Sequence, residues 1–165
     1  MSANFIFLDM HPEFETLIEE AIQLELNVAD LYLLFHHQLK EDSAFWWELA
    51  IEEENHAALL KTVKQMKDDS LEIPDEMLPD NTADLIQSNR EIKLAIAKFS
   101  EHIDRKAAFN YAYQLENAAG EWHFNAFMKD RTESEMANVF RKLNGADLHH
   151  AERIRAYMHA HHIEG

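Results

Sequence analysis

Apolar residues recur every seven positions along most of this chain, in paired rows. Phe14, Ala21, Val28 and Phe35 form one row, and Ile18, Glu25, Tyr32 and Leu39 form another. Seven residues are close to two helical turns, so each row occupies one face. The pattern predicts a helix of about 28 residues from Pro12, which suits a first helical position because its missing N–H would find no partner there. Polar residues at Lys40 to Ser43 break it. A second helix is expected from about Ser43 to Asp68, with rows Trp46, Glu53, Leu60 and Leu49, His56, Val63. A shorter helical stretch follows from about Asp84 to His102. Asp104 then reads as the N-cap of a helix to about Lys129, with rows Phe109, Glu116, His123 and Ala112, Ala119, Ala126. Thr132 with Glu135 makes a capping box for the last helix, which carries Phe140, Asp147, Ile154 and Met136, Leu143, His150, Tyr157.

Breakers are scarce: three Gly and three Pro in 165 residues, which disfavours a sheet with many tight turns. The length suits one domain, taken as residues 1–165. The seven-residue spacing implies helices packed nearly parallel with a left-handed twist. Short links join the first pair and the last pair, while Asp69 to Asn81 (DSLEIPDEMLPDN) reads as an extended crossover. The expected fold is all-α: a four-helix bundle with one long crossover.

Charge narrows the function classes. Fifteen basic residues face 31 acidic ones, a net charge of −16, so a nucleic-acid face is not expected. The absence of Cys excludes thiolate metal sites, disulfides and Cys nucleophiles within the chain. No apolar run approaches the roughly 20 residues of a membrane helix, and no targeting segment is visible. A cytoplasmic protein without a membrane partner is expected. Exposed aromatics on broad helix faces suggest a homodimer.

The rows are apolar except at their middles. There stand Glu25, Glu53 with His56, Glu116, and Asp147 with His150. Their row neighbours include Val28, Leu49, Leu60, Ala112, Leu143 and Ile154, so if those face the core, the acids do too. An unpaired ionised carboxylate in a core costs several kcal/mol. The rows hold no Lys or Arg to compensate. Two divalent cations would balance four carboxylates, with two neutral imidazoles as further ligands. Mixed carboxylate and imidazole donors suit iron or manganese better than calcium or magnesium. Glu53 and His56 are three apart, as are Asp147 and His150, so the members of each pair share a helix face. The hairpins also repeat. Gln23-Leu24-Glu25 recurs as Gln114-Leu115-Glu116, and Glu53-x-x-His56-Ala57 as Asp147-x-x-His150-Ala151. Two such hairpins facing one another predict a pseudo-twofold axis through a two-metal site.

The segments QLELNVADLY, EEENHAALL, QLENAAGEWHF and ADLHHAERI follow one another as in a known family. The chain resembles the rubrerythrin-like branch of the ferritin-like di-iron carboxylate proteins over nearly its whole length. The resemblance implies Glu25 and Glu116 as terminal ligands, Glu53 and Asp147 as bridges, and His56 and His150 as one ligand to each metal. It also places Tyr32 beside the site rather than on a metal. Three departures stand out. Asp147 replaces the usual Glu, shortening that arm by a methylene. Position 119, a carboxylate in classical rubrerythrins, is Ala. The cysteine-ligated rubredoxin module is missing, so electrons would come from a separate donor.

The function implied is an oxidoreductase holding two irons and reducing hydrogen peroxide or dioxygen, of peroxidase or ferroxidase type. A non-catalytic iron-binding protein, or a ferritin-like scaffold for manganese or zinc, is the alternative. His123 and Glu121 are lesser candidates near the site. His36, His37 and His149 are expected to be solvated or interfacial, the terminal HAHHIEG to be a frayed polar end, and Trp46, Trp47 and Trp122 to be packing or interface residues.

Overall fold

A computed structural model describes residues 12–65, 78–122 and 135–163. Among them the chain forms five α-helices and no strand: α1 Pro12–Gln38, α2 Ser43–Gln65, α3 Leu78–Glu101, α4 Arg105–Trp122 and α5 Glu135–Ala160. A 3-10 turn, Lys40–Asp42, joins α1 to α2. None of the described helices is long and apolar enough to cross a membrane.

Side-chain pairs fix the helix directions. Lys64 near the end of α2 meets Glu15 and Glu19 near the start of α1, and Ser43 at the start of α2 bonds His36 near the end of α1. These two helices are therefore antiparallel. Phe109 and Glu116 of α4 meet Tyr157 and His150 of α5 respectively, so this pair is antiparallel as well. His150 faces Glu53 while Tyr157 stacks on Phe45, which sets α5 against the direction of α2. Helices α1 and α5 thus run one way, α2 and α4 the other. The result is a helical bundle.

The crossover differs from the expected extended segment. Helix α3 spans 24 residues and begins at Leu78, so Leu78–Asn81 are helical and Pro79 lies in the first turn. Proline is tolerated there because the first N–H groups of a helix have no intrahelical partner. Helix α3 runs beside α1 in the same direction, with Asn89 bonded to Asn27 and Phe99 set edge-on to Phe35. Residues 66–77, the expected stretch from His123 to Lys129, and Thr132 lie outside the described residues.

The predicted rows form the core. Ile18, Tyr32, Phe35, Trp46, Leu49, Leu60, Phe109, Ala112, Leu143 and Ile154 are all buried. Each large side chain so removed from water contributes roughly 1.5–3 kcal/mol. Trp46 ties three helices together, with ring centres 5.4 Å from Tyr32, 5.0 Å from Phe35 and 4.5 Å from Phe109.

Helix ends obey local chemistry. The Asp104 side chain accepts from Ala107 N–H at 2.7 Å, an N-cap worth about 1 kcal/mol. The end of α5 is ordered rather than frayed. His162 takes a left-handed φ of 53°, Ile163 N–H reaches Met158 O at 2.9 Å, and Ile163 is buried with Met158. This is a Schellman turn, whose apolar contact explains why the polar terminal sequence stops the helix cleanly.

Candidate metal centre

All six polar residues predicted from the row centres come together in the core. Glu25 comes from α1, Glu53 and His56 from α2, Glu116 from α4, and Asp147 and His150 from α5. The four acids are 2–3% exposed and His150 is 1% exposed. Each is there because its helix is amphipathic: the row that buries Leu49 and Leu60 also buries what lies between them.

The donors form two groups, each able to hold a metal ion. One is Glu25, Glu53, His56 and Asp147; the other is Glu53, Glu116 and His150; within each, the donor atoms lie within 4.8 Å of one another. Glu53 belongs to both. One of its oxygens lies 3.1 Å from His56 Nδ1, and the other lies 2.7 Å from His150 Nδ1. His56 Nδ1 is also 3.5 Å from Glu25, and His150 Nδ1 is 3.6 Å from Glu116. The two imidazoles stack, with ring centres 5.5 Å apart. Asp147 falls only in the Glu25/His56 group, so Asp147 and His150 do not close on one group as their spacing suggested.

The electrostatics are those of crowded acids whose basic neighbours within the two groups are imidazoles rather than Lys or Arg. Burial, then the charges of Glu25, Glu116 and Glu53, push the Asp147 carboxyl well above its ordinary value. Burial and Glu116 push Glu53 the same way, but His150 and His56 outweigh them and hold it below the usual carboxylate range. Burial disfavours the charged imidazoles, yet the carboxylates around them raise His56 to about 10 and His150 to about 11. The carboxylates thus favour the charged form of both imidazoles.

A test of fit lies in the orphaned atoms. Asp147 Oδ2 is buried without a hydrogen-bond partner, and Glu53 Oε1 and His150 Nδ1 face one another at 2.7 Å without hydrogen-bond geometry. Buried polar atoms are nearly always satisfied, and an orphan costs about 1–3 kcal/mol. One orphan and one badly angled pair in a single cluster, all potential metal donors of mixed oxygen and nitrogen type, fit a first-row divalent ion.

Tyr32 is fully buried, and its hydroxyl donates to Glu116 Oε1. It touches the candidate ligand set without belonging to either group. Burial and the charges of Glu116 and Glu53 push its phenol well above the ordinary value.

Sequence reasoning missed two features. Glu52, next to Glu53, bonds His150 Nε2 at 2.7 Å and is itself held by Arg153. The spacing of His150 and Arg153 on one helix side was the available clue. Asp42, in the link read as a simple polar break, is 1% exposed, receives two bonds from Arg105 at 2.8 and 2.7 Å, and accepts from Tyr157 at 3.0 Å. His36 and His37 lie at the end of α1, their rings 4.8 Å apart, and His149 is exposed; none of them joins a donor group. The side chains of Ala119, Glu121 and Trp122, and the whole of His123, lie outside the described residues. Comparison with known protein families, with curated proteins and with solved structures finds no match to this chain.

Proposed function

We propose that this chain is a ferritin-like, rubrerythrin-like protein whose core binds two divalent metal ions, iron foremost, and that it is an oxidoreductase acting on hydrogen peroxide or dioxygen. The observation that carries the reading is the convergence of four buried carboxylates and two imidazoles, without Lys or Arg among them, on two groups sharing Glu53. The proposal extends to a pseudo-twofold relation between the α1/α2 and α4/α5 hairpins, supported by their matched sequences and opposed directions.

In this reading Glu53 serves both positions, with Glu25, His56 and Asp147 on one side and Glu116 and His150 on the other. A bound pair of ferrous ions would supply the two electrons that, with two protons from solvent, reduce one hydrogen peroxide to two waters, the irons becoming ferric. The chain holds the donors in place, and Leu49, Leu60 and Ala112 keep bulk water from the centre. Tyr32 fixes one oxygen of Glu116 by its hydrogen bond. With no cysteine in the chain, the electrons that reset the centre would come from a separate donor.

The test is metal analysis of protein purified without chelator, followed by anaerobic ferrous titration and peroxide consumption. About two irons per chain with peroxide turnover supports the reading. Two zinc or manganese ions without turnover would leave a metal-holding scaffold instead. Glu53→Ala should remove both metals, since Glu53 is common to both groups, whereas Asp147→Ala should weaken one. Retention of both metals by Glu53→Ala would refute the site.

A further inference from the structure

The six donors repeat between the hairpins, but their surroundings do not. The register that matches Glu53 with Asp147 and His56 with His150 matches Glu52 with Ala146. Glu52 Oε2 lies 2.7 Å from His150 Nε2. Behind it, Arg153 Nη1 donates to both Glu52 oxygens at 2.7 and 2.6 Å, and Nη2 reaches Glu48 at 3.4 Å. An arginine-paired carboxylate only accepts, so His150 Nε2 bears the hydrogen. When a metal displaces the second proton, the lone pair is left on Nδ1, the nitrogen that faces Glu53 and Glu116. His56 has no such brace. Its Nδ1 faces Glu53 and Glu25, and among the described residues nothing accepts from its Nε2. Its side chain is 14% exposed against 1% for His150. The repeat would supply its missing carboxylate from position 146, which is Ala.

We propose that Glu52, braced by Arg153, is a positioning residue that pre-sets His150, and that the Glu53/Glu116/His150 half of the centre takes up metal first. The Glu25/Glu53/His56/Asp147 half fills second. This rests on the two-metal reading above. Asp147 gives the second half one more carboxylate, but all four acids share one cluster and attract a cation at either position. What differs is which imidazole is already aimed. Outer carboxylates on metal-binding histidines are worth about 10–100-fold in affinity.

The full chain, stripped of metal and labelled with ¹⁵N-histidine, is titrated with zinc chloride alone. His150 Nδ1 should shift with the first equivalent and His56 Nδ1 with the second. Glu52→Ala should weaken the first step about 10–100-fold and leave the second nearly unchanged. Ala146→Glu, placing a carboxylate on the His56 side, should tighten the second step. Should Glu52→Ala not fold, the wild-type order and Ala146→Glu still decide. Zinc reaching His56 first, both histidines shifting together, or an unchanged first step in folded Glu52→Ala would overturn the proposal while leaving the two-metal reading intact. No zinc uptake by the wild type would overturn that reading itself, and this inference with it.

Discussion

Metal loading should expel protons from the core, and the structure sets their number. In the metal-free chain His56 is raised to about 10 and His150 to about 11. Near pH 7 both rings are therefore almost wholly protonated, and a protonated imidazole has no lone pair for a metal. If both groups fill, about two protons should leave the imidazoles. The sign follows. Protons compete with metal, so the overall binding constant should rise about 100-fold per pH unit between pH 7 and 9, the slope expected when two protons leave. The assay is titration calorimetry with manganese or anaerobic ferrous iron in buffers of different ionisation enthalpy, where the slope of observed heat against buffer enthalpy counts protons. Release of less than one proton per chain at full loading would refute the reasoning. It would mean that the imidazoles are neutral before metal arrives, or that they are not ligands.

The same histidines tie metal-free stability to pH. Their folded pKa values exceed the unfolded value of 6.5, so their contribution is full below about 6.5, declines as pH rises, and is gone above about 10–11; denaturant melts from pH 6 to 11 should show this for the apo chain and much less for the loaded one. Leu49→Ala, at a fully buried position between α2 and its neighbours, should cost about 2–5 kcal/mol in urea unfolding. Arg105→Ala should destabilise more than Asp42→Asn, because it strands a charge that is 1% exposed, and a cost of about 3 kcal/mol or more is expected by the same assay. Equal costs for the two would show that solvent reaches Asp42.

The helices and the donor cluster were readable because both rest on one period. A row that buries Leu49 and Leu60 must also bury Glu53, whatever its partners, so polarity in a row centre is visible without coordinates. What required the structure was anything set by residues far apart in the chain. Asp42 looked like part of a solvated link, and only Arg105 and Tyr157, each brought in from another helix, make it a buried acceptor. Glu52 looked like one more acid in a run of three, until α5 laid His150 and Arg153 against it. Asp147 shares a helix with His150, but which donors it meets depends on side chains brought in from α1 and α2. Pro79 misled for a local reason: a breaker inside a helix is a starter in its first turn.

The split of donors between the hairpins has a consequence for assembly. The α1/α2 hairpin carries Glu25, Glu53 and His56, and the α4/α5 hairpin carries Glu116, Asp147 and His150, yet each group draws on both. Neither half of the polypeptide can complete a group alone. Before the halves meet, their inner faces carry like charges, and closing them joins residues about ninety positions apart, the kind of contact that forms late in folding. A cation arriving at that moment would turn mutual repulsion into a clasp. Metal availability would then govern how quickly newly made chains close, and a chelator present during refolding would slow the docking of the hairpins without preventing it.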